Sequence, residues 1–216
     1  LDHYKNVLSG YTFSVINLKN AQIDVATEVF TRLNVGGKSL SLFEIMVAKT
    51  YHIFENKNDL ENKEEIFDLS VKYEELSAEL SASHYDTIPS ATILQVISIL
   101  LEKDCTRKTI LKLDKMAFIN IWDEAVNCIK SSIDFFRSYG IAVGRILPYN
   151  ALLVPFSYFF YKHKHNPTGD MKKRLEDFFW RTSLGFRYSS GVEGKLVQDI
   201  AKIDKIIAGE LPKYEW

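Results

Sequence analysis

Arg32, Asn34, Gly36, Gly37 and Lys38 fall in one short run, and residues of these types in this order suit the binding of phosphate. Adjacent glycines reach backbone angles closed to other residues, so their amides can converge on an anion as a nest. Arg32 and Lys38 would add charge to such a nest, and Asn34 would orient the loop. The Gly-x-x-x-x-Gly-Lys-Ser/Thr spacing of a P-loop is absent, and Gly37-Lys38-Ser39 alone is a weak signal. A tight turn between two helices with solvated charges accounts for the same residues without a ligand, so two readings stand.

A second candidate cluster is Arg181, Arg187, Tyr188 and Ser189, whose guanidinium groups and hydroxyls suit phosphate contact, with Trp180 or Tyr188 available to stack on a base. The plainer reading is again structural. Arginine near a helix C-terminus meets the dipole and the orphan carbonyls, while Trp180 would pack inward.

His163 and His165 form the one close histidine pair, but with Lys162 and Lys164 beside them and no Cys or carboxylate nearby they supply too few ligands for structural zinc. Glu64-Glu65 and Glu74-Glu75 read as exposed helical charge. Cys105 and Cys128 lack a partner at metal-ligand spacing and fit inert packing in a reducing cytoplasm. No catalytic set and no metal site is expected from these residues.

The elements that would carry them are mostly helical. Tyr11, Phe13 and Val15 alternate with polar residues and predict a short strand from Tyr11 to Leu18 with no hairpin partner in the sequence. Helical spacing follows over Ile23–Leu33, the turn Asn34-Val35-Gly36-Gly37 interrupts it, and Ser41 with Glu44 has the form of a capping box for a helix running to about Phe54. An exposed amphipathic helix is expected over Asp59–Leu80, a strongly apolar one from Ala91 capped by Ser90, and a long one from Lys115 to Tyr139 capped by Asp114 and closed by Gly140. Further helices are expected over Tyr149–Lys164, Met171–Leu184 and Lys195–Ala208. The fold class is mainly α: an irregular bundle of about eight helices with one short N-terminal strand.

Lys plus Arg number 27 against 28 Asp plus Glu, so overall charge gives no attraction for nucleic acid and only a local patch could. With 46% hydrophobic residues the chain can bury a substantial core. The longest apolar stretch, Ile146–Tyr161, contains Pro148 and Pro155 and is shorter than the roughly 20 residues that cross a bilayer, so no membrane partner is expected. No initiator Met and no secretion signal stand at Leu1, and the chain reads as a cytoplasmic piece of a larger protein.

The run Ala26–Glu44 contains Phe30-Thr31-Arg32-Leu33-Asn34-Val35-Gly36-Gly37-Lys38-Ser39-Leu40 and resembles the Phe-x-Arg-x-Asn-x-Gly-Gly-x-x-Leu signature of the GmrSD-type restriction-endonuclease N-terminal domain family. Leu147-Pro148-Tyr149-Asn150 and the run Phe179–Ser190 look like that family's downstream helical region. The resemblance implies a bacterial phage-defence protein related to modification-dependent type IV restriction systems, whose intact form uses a nucleoside triphosphate with magnesium to cleave foreign DNA. It also implies an upstream ParB-like core bearing Asp-Gly-Gln-Gln-Arg, and a nuclease domain or subunit. Neither that motif nor a His-Asn-His module occurs in this sequence.

On that reading residues 1–55 complete the upstream core, residues 56–216 form a helical domain, and the chain is inactive by itself. Its phosphate contacts to nucleotide or DNA would be Arg32, Asn34, Gly36, Gly37, Lys38, Arg181, Arg187 and Tyr188. The alternative is a helical scaffold or sensor that binds protein and has no role with nucleic acid. Cations gathered on one face favour the first reading, and a large exposed apolar groove favours the second.

Overall fold

A computed structural model describes residues 4, 5, 10, 11, 19, 25, 29, 40–54 and 65–214. The chain divides into two compact units, Leu1–Ser39 and Leu40–Trp216. The glycine turn with Arg32, Asn34, Gly36, Gly37 and Lys38 lies outside the described residues, as does the expected strand from Tyr11 to Leu18 apart from Tyr11 itself.

The second unit is mainly α, with eight helices and one two-stranded sheet among the described residues. Helix α1, Leu42–Thr50, starts where Ser41 Oγ accepts from the Glu44 amide at 3.2 Å and the Glu44 carboxylate accepts from the Ser41 amide at 2.7 Å. These reciprocal bonds satisfy two of the donors that every helix start leaves open. Ile45 and Met46 are buried, so α1 packs into this second unit.

The helix stops short of Phe54. His52–Phe54 is a strand, β1, paired antiparallel with β2, Glu65–Phe67, in the register His52 with Phe67 and Ile53 with Ile66. This pair of strands replaces the ends of two expected helices. Its anchor is Phe67, buried edge-on against Phe118 at 6.5 Å and Trp122 at 6.1 Å between ring centres. Edge-to-face pairs of this kind add stabilisation beyond the area they bury.

Helix α2, Leu69–Ala82, begins at Asp68, whose carboxylate accepts from the Ser70 amide at 2.8 Å. Helix α3, Ser90–Glu102, has Pro89 rather than Ser90 at its cap position, and Ser90 is its first helical residue. A short helix that the sequence pattern does not announce, α4 (Arg107–Lys112), is capped by Thr106. Asp114 caps α5, Lys115–Arg137, with its carboxylate 2.8 Å from the Ala117 amide.

Helix α6, Leu153–His163, follows a short 3-10 turn and is buried from Leu153 to Phe160. It packs against α5, α3 and, near the end of the chain, α8. A helix apolar on nearly every side can be stable in water only at the centre of such a cage. Phe135, Phe136, Phe156, Phe178 and Phe179 meet around it with ring centres 4.8 to 6.2 Å apart. Helices α7, Gly169–Leu184, and α8, Val192–Ile207, close the bundle, joined by a 3-10 turn at Arg187–Ser189.

Candidate anion-binding surface

Leu196, Asp199, Ile200 and Ile203 recur at the spacing that lines one face of α8, and all four are buried. A carboxylate on a core-facing stripe is costly unless cations and donors meet it there. Asp199 is fully buried and is met on several sides. Arg187 Nε donates to both of its oxygens at 2.9 and 2.7 Å, Lys202 Nζ donates to Oδ1 at 2.8 Å, and the Tyr188 hydroxyl donates to Oδ2 at 2.7 Å.

The turn before α8 makes this possible. Helix α7 ends as the Gly185 amide donates to the Arg181 carbonyl at 2.9 Å, and Phe186 then takes the left-handed conformation with φ 51° and ψ 32°. That reversal delivers Arg187 and Tyr188 to the side of α8. Arg187 is held further by Gln198 Oε1, 3.0 Å from its Nη2. Burial, reinforced by the Asp199 charge, pushes the Tyr188 hydroxyl well above the ordinary tyrosine range.

Arg181, Phe186, Arg187, Lys195 and Lys202 border a concavity of about 290 Å³. A neighbouring one of about 420 Å³ shares Arg187 and Lys202 with it and adds Lys205 and Lys213. The ring of Tyr214 lines the first concavity and lies under two cations, 5.0 Å from the Arg181 guanidinium and 5.6 Å from Lys202 Nζ. Arg181 Nε also donates to both oxygens of Asp177, at 2.7 Å each. Lys195, Lys205 and Lys213 make no ion pair among the described residues. Uncompensated lysines around a concave surface draw anions from solution.

Of the residues singled out by sequence, Arg181 and Arg187 come together at this surface. Tyr188 sits behind it, with its hydroxyl committed to Asp199. Trp180 does not pack inward: it is 44% exposed and meets Phe179 edge-on. Helix geometry explains this, since Leu175, Phe178, Phe179 and Thr182 already fill the buried stripe of α7. Asp199, Lys195, Lys202, Lys205 and Lys213 are not singled out by the sequence pattern; their one signal is the spacing of Lys195, Lys202 and Lys205 along a helix.

His163 Nδ1 lies 2.9 Å from the His165 carbonyl and its ring stacks on Phe159, so the pair closes the end of α6. Glu74 and Glu75 are exposed on α2. Cys105 and Cys128 are buried, and burial pushes their thiols up to about 12 and about 11 respectively, away from the reactive thiolate. Among the described residues no three His, Cys, Asp or Glu side chains converge as a ligand set. No helix among the described residues is long and apolar enough to cross a membrane.

Fold and surface together define a mainly α module with a cationic face. No family model and no solved structure matches the chain. An uncharacterized protein of Methanocaldococcus jannaschii is 23% identical to it over 185 residues, which cover 83% of this chain. The chain spans about 30% of that relative's length.

Proposed function

We propose that the chain is the helical part of a GmrSD-like defence protein and that its α7–α8 face grips the phosphate backbone of DNA. The observation that carries this reading is the pair of adjoining concavities ringed by Arg181, Arg187, Lys195, Lys202, Lys205 and Lys213, against an overall charge near zero. Phosphate contact of this kind positions a module on DNA without reading its sequence. Nucleotide hydrolysis belongs, in this proposal, to a ParB-like core in the same polypeptide, and DNA cleavage to a nuclease partner.

The test is equilibrium binding of the full chain to labelled duplex DNA by fluorescence anisotropy. Lys195→Glu, Lys205→Glu and Lys213→Glu combined should abolish binding while leaving the helical circular dichroism intact. Binding that survives this triple reversal places the contact elsewhere and removes the reading.

A second reading, a protein-docking module, draws on the outward Leu184 and Phe186, which are 72% and 71% exposed. Salt separates the two, because apolar docking is nearly indifferent to ionic strength and phosphate contact is not.

A further inference from the structure

Phe186 combines a left-handed backbone with an exposed ring. Its backbone lies in the left-handed region, which is disfavoured for a bulky side chain and persists only where neighbouring structure fixes it. Here the Gly185 amide is tied to the Arg181 carbonyl on one side, and the Ser189 amide donates to the Phe186 carbonyl at 3.1 Å on the other. The ring so fixed is 71% exposed, although the bundle buries most of its other phenylalanines. It stands at the rim of the same concavity as Arg181, Arg187, Lys195 and Lys202.

We propose that Phe186 is a stacking platform for an unpaired nucleobase, and that the cationic face beside it tracks the phosphates of a single strand. The inference rests on the DNA-phosphate reading above and names the form of nucleic acid that the face selects. One phosphate would fill one concavity. Two concavities that share Arg187 and Lys202, with Lys205 and Lys213 along the farther one, suit a ligand that repeats its negative charge along a line.

An exposed ring beside that line suits a ligand that carries a π-face next to each negative charge, as every nucleotide of a strand does. In a duplex the base faces are already stacked, so only a single strand can offer one. Exposed Trp180, one residue before Arg181, adds a second aromatic at this end of α7.

The experiment titrates the full chain into labelled oligothymidine, a duplex of equal length, and polyglutamate, with anisotropy as the readout. Phe186→Ala should weaken oligothymidine binding about tenfold and leave duplex binding within about twofold, while Phe186→Trp retains the single-strand affinity. Phe186→Gly suits the left-handed backbone without strain, so it repeats the measurement with the turn geometry kept.

If removal of the ring leaves oligothymidine affinity unchanged, the stacking inference is overturned and the phosphate reading stands. If the wild-type chain binds neither oligonucleotide, both fall. Polyglutamate binding as tightly as oligothymidine would identify the occupant as an acidic protein and overturn the proposal.

Discussion

Arg187 reaches across twelve residues to set its Nε 2.7 and 2.9 Å from the two oxygens of Asp199, a carboxylate with no exposure to solvent. The same pair joins the core of α8 to the rim of the cationic face. What stabilises the fold here also fixes the angle at which Arg187 borders the concavity. Lys202, bound to the other side of the same carboxylate, is fixed in the same way.

Removing the carboxylate should therefore unsettle both. Asp199→Ala leaves two partly buried cations and the Tyr188 hydroxyl without their acceptor, and breaking a buried pair from one side costs about 3–5 kcal/mol. Urea unfolding of Asp199→Ala should show a loss of that size, with Asp199→Asn intermediate because it keeps the shape and one acceptor. The double variant with Arg187→Ala should lose less than the sum of the singles. Full additivity would show that the two residues are not coupled.

Asp199 also shows where the sequence stops being informative. Ser41 with Glu44, and Asp114 before its apolar run, are legible because caps are local chemistry. The partners of Asp199 lie mostly on another element, and one acidic residue in an amphipathic helix otherwise reads as solvent-facing. The β1–β2 pair is hidden for a similar reason: His52-Ile53-Phe54 and Glu65-Ile66-Phe67 are too short for alternation to show, and the contacts of Phe67 with Phe118 and Trp122 lie far along the chain. Trp180 is misplaced by hydrophobicity alone, which does not say which stripe of α7 is already full.

Alkaline pH should weaken the fold once the thiols and phenols of an unfolded chain begin to titrate. Burial pushes Cys105 from 9.0 up to about 12, Cys128 up to about 11, and Tyr85 from 10.0 up to about 12. Each group is neutral in the native state over a range where the unfolded chain has already lost the proton, so the native state binds more protons there. Stability is thus fully present below about pH 9 and declines as pH rises toward about 12, by on the order of a few kcal/mol. Unfolding midpoints compared near pH 8 and near pH 11 measure the decline, and Cys105→Ala should flatten it. A flat profile in the wild type would mean that these groups are not shielded from water.

The phosphate reading makes a quantitative demand on salt. Each lysine that neutralises a duplex phosphate contributes about −0.9 to the slope of log K against log salt. Lys205→Gln with Lys213→Gln should therefore flatten that slope by about two, with affinity falling most steeply at low salt. Neither side chain is ion-paired among the described residues, so fold stability should change by less than about 0.5 kcal/mol. A slope equal to that of the wild type would remove these two lysines from the contact.

Two glycines to alanine should move stability in opposite directions, which tests the packing of the bundle without reference to any ligand. Gly144 donates its amide to the His84 carbonyl at 2.8 Å, and a Cβ there would stand 2.8 Å from Thr87 Oγ1 and 3.1 Å from the Tyr85 backbone. The threonine end can turn aside but the Tyr85 Cα cannot, so Gly144→Ala should cost about 1–3 kcal/mol and Thr87→Ala should restore only part of it. Gly194 lies within α8, and a methyl added there would meet nothing inside 4 Å, so Gly194→Ala should stabilise by about 0.5–1 kcal/mol through the unfolded chain's lost freedom. Chemical denaturation of both variants decides the matter: a gain in stability from Gly144→Ala would mean that the loop over Tyr85 is looser than its hydrogen bonds require.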